Sequence, residues 1–378
     1  MLALSAQESA VLPSSDRPAP VEPTDLRSDS GKRRTKAPVT MRDVARKTGV
    51  SQSTVSRVLS GATTAVAIAV ETRERVIAAA QELGYRPNPL ARGLRGLGTM
   101  LLGVIVREIT DPFFAGAIEA VSTEANRRDY NVVLGHAHGR ADEAIVLAGV
   151  LEQRHVDSII LLGDMSDQPR LIDDLRGASV PVVALWQGSR PAGIASVSVD
   201  NRAGINTVLD HLTGLGHRRI AFVAGRRLGD IQEREDAYVE YMAQLGQGVP
   251  KGYLQYAAND PTGGVTALRA FLELPERPTA VIASTDVLAI GLLHEAHVRG
   301  LSVPGDISIT GFDDIPLAAF TVPALTTVRM PTREMVRAAI AMVIDDEMTT
   351  LSGELRHPVL QPSLVVREST RRIDGAAD

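Results

Sequence analysis

Residues 39–59, VTMRDVARKTGVSQSTVSRVL, constrain this chain most, because they spell two short helices joined by a tight turn with the caps already in place. Thr40 and Ser51 each stand directly before a helical pattern, and side-chain oxygens at such positions satisfy first-turn amides. Asp43, three residues after Thr40, completes a variant capping box, and Gly49 allows the turn. Val44, Ala45, Val50, Val55, Val58 and Leu59 fall at helical spacing on inward faces, leaving Gln52, Ser53, Ser56 and Arg57 outward on the second helix. The pattern is a helix-turn-helix whose recognition helix begins at Gln52.

Charge is distributed to match. Residues 31–98 hold 13 Lys plus Arg against 4 Asp plus Glu, whereas the whole chain carries a net charge of -5. A basic module attached to an acidic body suits a polyanion at one end only. The chain has no cysteine, which excludes disulfides, thiolate nucleophiles and Cys-ligated metal. No run of about 18 apolar residues occurs, and the first 20 residues lack the basic start and apolar stretch of a signal peptide, so a cytoplasmic location is expected.

Residues 1–38, rich in Ser, Pro, Asp and Ala, read as a disordered tail. Residues 39–86 form the helix-turn-helix domain. Its third helix is expected from near Glu71 to Leu83, with Val76, Ile77, Ala80 and Leu83 inward and Gly84 as the stop. The connection from Ser60 to Val70 provides no evident cap for that helix. Residues 87–98 are a hinge: Asn88 can cap and Pro89 can start a helix, but only about six residues follow before the glycines, too few to be helical alone. From Met100 the rhythm changes to short β-branched runs alternating with amphipathic helices: LLGVIV, NVVL, SIILL, VVAL, SVSV, IAFVA, AVIAS and ISITGF. Such alternation predicts an α/β fold of two doubly wound parallel-sheet lobes. The first spans 99–197 with part of 328–356, and the second 198–327 with 357–378. Ligands of such sheets bind beyond the carboxyl ends of the strands.

This order resembles the bacterial lactose and galactose repressor (LacI/GalR) family of transcription regulators, with their periplasmic-binding-protein-like lobes. The motifs that carry the resemblance are MRDVARKTGVSQSTVSRVL, ETRERVIAAAQELGYRPNPLARGLR, LGVIVREITDPFF, VSVDNRAG, HLTGLGHRRIAFVAG, ASTDVLAIG, VPGDISITGFDD, LTTVRMP and LVVREST, in order across residues 39–372. The resemblance implies a homodimer, or a dimer of dimers, that represses by reading a pseudo-palindromic operator in double-stranded DNA. A small sugar-like effector in each interlobe cleft would set DNA affinity. In the headpiece it makes Gln52, Ser53 and Arg57 base-reading positions, with Thr40, Ser51, Thr54 and Ser56 as phosphate contacts or caps. In the hinge it makes Leu94 a minor-groove wedge flanked by Asn88, Ala91, Arg92 and Arg95. Gly93, just before the wedge, departs from the commoner small Ser-type residue and weakens a hinge helix.

For the cleft, the resemblance implies Asp111, Phe113, Phe114, Trp186, Asp200, Arg234, Asp286 and Phe312 as effector contacts. An aromatic face with carboxylates and Arg suits a hydroxyl-rich ligand. Met330 and Trp186 stand where many relatives carry Gln and Asp, making this cleft more apolar. Two other classes compete: an α/β enzyme and a solute-binding protein using the same lobes. No nucleophile constellation, phosphate loop or metal spacing supports the enzyme, His136 and His138 in GHAHG included, so neither cofactor nor metal is expected. The headpiece and the lack of a signal peptide oppose the exported binding protein.

Overall fold

The computed structural model describes residues 39–60, 68–85, 98–165, 169–185, 193–225, 229–246, 248–349 and 353–373. The expected tail and nearly all of the hinge lie outside these residues. The chain forms two compact units, residues 1–87 and 88–378.

The first unit holds α1 (Met41–Thr48), α2 (Gln52–Ser60) and α3 (Val70–Leu83). The Asp43 carboxylate accepts from the Thr40 backbone N–H at 2.9 Å and from its hydroxyl at 2.7 Å, fastening the start of α1. Gly49 ends α1 at φ 72°, a left-handed conformation that glycine adopts without strain. Ser51 Oγ accepts from the Thr54 N–H at 3.1 Å and so caps α2. Val44, Ala45, Val55 and Val58 meet Val76, Ala79 and Ala80 in the core. Ile77, expected inward, is 40% exposed instead. The inner face of α3 is completed by Ala80, as expected, and by the small Ala79.

At its start α3 has Ala69 in extended conformation and no side-chain cap. Ala69→Ser is therefore expected to stabilise the first unit by about 1 kcal/mol, through a hydroxyl acceptor for a first-turn amide. Thermal unfolding of the two proteins checks this. An unchanged midpoint would mean that another group already satisfies those amides.

The second unit runs β1 (Leu101–Val106), α4 (Pro112–Asn126), β2 (Asn131–His136), α5 (Ala141–Gln153), β3 (Ser158–Leu162), α6 (Pro169–Arg176), β4 (Val182–Leu185), β5 (Ala195–Val199), α7 (Asn201–Gly214) and β6 (Ile220–Ala224). It continues with α8 (Gly229–Gln244), β7 (Leu254–Tyr256), α9 (Pro261–Leu272), β8 (Ala280–Ala283), α10 (Asp286–Val298), β9 (Ser308–Thr310), β10 (Thr327–Arg329), α11 (Thr332–Ile344), β11 (Val359–Leu360) and β12 (Ser363–Val365). The first sheet has the order β11-β5-β4-β3-β1-β2, the second β7-β6-β8-β9, and β10 pairs with β12 in a separate ribbon. Every pairing within the two larger sheets is parallel, and the ribbon is antiparallel.

The central strands of both sheets are buried on both faces, as parallel sheets require. In β1 the alternation sends Leu102, Val104 and Val106 to one core, shared with Phe222 of β6 and Val336 of α11, while Ile105 turns to the opposite face with Ile159 and Leu161. α11 packs on α4 and on β3, β4 and β5 of the first lobe. The segment from 357, grouped with the second lobe, first returns to the first. The exposed edge of β5 needs acceptors, and Arg356, Pro358 and Leu360 carbonyls take the N–H groups of Ser196, Ser198 and Asp200. Only afterwards does β12 join β10, and Ile309 at the second sheet's edge donates to the Ser369 carbonyl. Among the described residues, no helix is long and apolar enough to cross a membrane.

Candidate functional site

Loops at the carboxyl ends of strands from both sheets converge on one narrow cavity of about 20 Å³. Arg107, Asp111, Phe113, Phe114 and Gly163 reach it from the first lobe, Val199 and Asn201 from the crossover, and Asp230, Ile231, Arg234, Asn259, Thr285 and Asp313 from the second. Met330 completes the wall. Outside it lies a groove of about 930 Å³ between α4, the start of α11 and the 313–316 turn, which shares Phe113, Asp313 and Met330 with the cavity. Phe113 packs against the cores of both lobes.

Arg234 organises the cavity from the second turn of α8. Only 2% exposed, it donates from Nε to Asn201 Oδ1 at 2.9 Å and from Nη1 to the Ser284 carbonyl at 2.6 Å. Its guanidinium lies 3.6 Å from the centroid of the Phe312 ring. Asp313 Oδ1 is 3.5 Å from Nη1, and Asp230 Oδ2 is 3.8 Å from Nη2. Burial pushes the Asp313 carboxyl well above the usual range against the pull of Arg234. Burial also raises Asp111, opposed by the Phe113 N–H that its Oδ1 accepts at 3.0 Å. The buried Asp230 Oδ1 has no hydrogen-bond partner among the described residues. A desolvated guanidinium set among three carboxylates, with the amide of Asn259 nearby, offers acceptors in several directions to a compact ligand rich in hydroxyl donors.

The expected contacts divide. Asp111, Phe113, Phe114 and Arg234 line the cavity, although Phe114 is mostly core at 2% exposure. Asp200 does not line it. Its Oδ1 caps α7 by accepting from the Ala203 N–H at 2.9 Å, and its Oδ2 accepts from Gln361 at 3.2 Å. Phe312 is fully buried beneath Arg234, a support for the guanidinium instead of a surface of the cavity. Asp286 is fully buried, its Oδ2 accepting from the Ile315 N–H and its Oδ1 from the Thr327 hydroxyl, at 2.8 and 2.5 Å. Both oxygens are therefore committed inside the second lobe. Trp186 lies outside the described residues. Arg107, Asn201, Asp230, Asn259 and Thr285 were not foreseen, although Asp230 stands one helical turn before Arg234, a spacing that places both on one face. The four residues Glu108, His136, His138 and Glu143 form two His–Glu pairs, with no cluster among the described residues fit to hold a metal ion.

On the first unit, Gln52 and Ser53 are exposed, and Thr54, Ser56 and Arg57 are half-buried. Ser51 Oγ lies 2.7 Å from Ser53 Oγ and 2.8 Å from Thr54 Oγ1, so these hydroxyls form one chain at the start of α2. Thr40 is engaged with Asp43. Asn88, Ala91, Arg92, Leu94 and Arg95 lie outside the described residues.

Comparison with known proteins gives these two arrangements a context. Residues 40–88 match the bacterial regulatory proteins of the lacI family, and residues 209–370 match the periplasmic binding protein-like domain. Catabolite control protein A of Priestia megaterium is 33% identical over 307 residues, covering 80% of this chain and 90% of that protein. The structure of the Lac repressor dimer bound to operator and the anti-inducer ONPF superposes with a TM-score of 0.77 at 25% identity, covering 89% of this chain and all of that one. A complex of the transcriptional regulator CelR with cellobiose has a TM-score of 0.63 at 31% identity, covering 88% and 99%. These relatives are regulators and not enzymes. The chain belongs to the lactose and galactose repressor family: it is a DNA-binding transcription regulator whose α/β unit is an effector-binding domain of the periplasmic-binding-protein type.

Proposed function

We propose that this regulator acts as a homodimeric repressor on a pseudo-palindromic operator, and that a small hydroxyl-rich effector bound around Arg234 sets its affinity for DNA. The observation that carries the effector reading is the buried Arg234 guanidinium amid Asp111, Asp230 and Asp313 where the strand ends of both sheets converge. The sugar bound in the CelR complex supports the ligand class. Two partly exposed apolar sets support the dimer: Leu317, Phe320 and Val322 on the second lobe, and Leu134, Val146 and Val150 on the first. The operator-bound dimer of the Lac repressor supports the same assembly. The effector acts by binding the two lobe arrangements with different affinity, and that difference alone can shift the population.

In the headpiece, Gln52, Ser53 and Arg57 read base edges, Arg57 through a bidentate pair with guanine, while Thr40, Ser51, Thr54 and Ser56 fix register on phosphates or cap helices. Leu94, with Asn88, Ala91, Arg92 and Arg95, is assigned the minor groove on the family resemblance. Arg57→Ala should weaken operator binding by about 1 to 3 kcal/mol and relax one base position. Selection of operators from a randomised duplex pool with both proteins checks it, and an unchanged preferred sequence would remove Arg57 from the reading set. The effector is tested by a thermal-shift screen of sugars, polyols and nucleosides on the purified protein, followed by operator titration with each stabilising compound. A stabilising compound that leaves operator affinity unchanged would refute effector control by that cleft.

A further inference from the structure

The two lobes touch across the cavity through hydrogen bonds that neither lobe could make alone. One joins Asp164, on the first lobe just beyond β3, to Gly229, the first residue of α8 in the second lobe. Asp164 Oδ2 accepts from the Gly229 N–H at 2.5 Å, and Asp164 is only 1% exposed. A second runs from Asn259 Nδ2 to Asp111 Oδ2 at 3.2 Å.

The amide at the first position of a helix has no acceptor inside that helix, and a carboxylate beside it also gains from the helix dipole. α8 spans 16 residues and carries Asp230 and Arg234 in its first two turns. The loop that presents Asp164 is held in turn. Gly163 adopts φ +92°, and a Cβ there would lie 2.7 Å from Phe114 Cζ, so this position takes glycine alone. Arg107 Nη1 is within 3.5 Å of the Asp164 carbonyl. The carboxylate is thus placed by first-lobe packing and used by a second-lobe helix.

We propose that Asp164 caps α8 in trans and acts as a latch that holds the lobes shut over the Arg234 cavity, so that a ligand can enter only as this bond breaks. A volume of about 20 Å³ has room for a water molecule and not for a sugar ring, so a ligand of that size fits only if the walls, which come from both lobes, move apart. This latch belongs to the free protein and does not depend on which ligand the cavity takes, so it stands or falls separately from the effector assignment.

The test uses the full-length protein. With no native cysteine, cysteines introduced at Asp173 on α6 and at the exposed Val298 on α10 can be spin-labelled uniquely, and the labelled chain diluted into excess unlabelled chain. Asp164→Ala should lengthen and broaden the distance between the labels and speed exchange of the Gly229 amide at least tenfold, leaving the amides of Ile160 and Leu161 in β3 as protected as before. Asp164→Asn keeps an acceptor and should stay near the parent in both measurements. Gly229→Pro removes the donor while leaving Asp164 untouched, at a helix position that tolerates proline, and should open the lobes as Asp164→Ala does. If the label distances of Asp164→Ala or of Gly229→Pro match those of the parent, the bond is no latch and the proposal fails.

Discussion

Asp286→Ala is expected to destabilise the second unit by about 3 to 5 kcal/mol, because two buried donors lose their acceptor at once and each unsatisfied donor costs about 1 to 3 kcal/mol. Those donors are the Ile315 N–H and the Thr327 hydroxyl, which tie the turn after β9 and the strand β10 to the first residue of α10. The measurement is urea or thermal unfolding of both proteins. Ligand control should survive below the lowered midpoint, since neither oxygen faces the cavity. A variant as stable as the parent yet blind to its effector would instead make Asp286 a ligand contact. A pH signature accompanies the loss. Burial pushes the Asp286 carboxyl up to about 7, against the hydrogen bonds from Thr327 and Ile315. An unfolded Asp ionises near pH 4, so between about 4 and 7 the folded chain holds a proton that the unfolded chain has released. Stability therefore falls as pH rises through that window, by up to about 1.4 kcal/mol per pH unit for one group, and levels off above it. Asp286→Asn cannot titrate and should remove that contribution, which paired denaturation curves at pH 5 and pH 7 would reveal.

Asp286 also shows what a one-dimensional reading resolves. The headpiece was legible to single residues because its determinants are local: Thr40, Asp43, Gly49 and Ser51 act within four residues of themselves. The eight β-branched runs were legible because fully buried parallel strands are continuous apolar segments. β7 and β10, of three residues each, are too short to show a period, and they exist through pairing with partners distant in sequence. In the cleft the sequence reading located the right turns and missed their rotation. Asp200 was expected where Asn201 lines the cavity, Asp286 where Thr285 does, and Phe312 where Asp313 does. Each miss is one residue. Where a strand gives way to a helix, successive side chains point in very different directions, and only tertiary packing fixes which one faces the ligand. In all three cases the neighbour holds the wall from behind: Asp200 by capping α7, Asp286 by bracketing Ile315 and Thr327, and Phe312 by lying under the guanidinium.

Arg234→Ala should combine the two kinds of loss, in stability and in control. The guanidinium lies within 4 Å of both Asp313 and Asp230, and it also satisfies Asn201 Oδ1 and the Ser284 carbonyl. Removing one partner of a buried charge pair costs about 3 to 5 kcal/mol, since the remaining charge is left uncompensated. The effector-induced thermal shift and the effector-dependent change in operator affinity should both vanish, because the carboxylates are no longer held in place. Arg234→Lys should not rescue them: an ammonium is a point charge and cannot reach Asn201, Ser284 and the Phe312 face together as a planar fork does. Asp313→Asn is the discriminating second change. If Arg234 stabilises the fold chiefly by balancing buried carboxylates, Asp313→Asn should change the parent little but recover more of the stability lost in Arg234→Ala, a coupling of at least about 1 kcal/mol in a double-mutant cycle. Control by the effector should stay lost in the double variant, because the guanidinium itself is missing. Equal effects of Asp313→Asn with and without Arg234 would show the two side chains to be uncoupled, and the charge balance drawn from their 3.5 Å separation would then have to be given up.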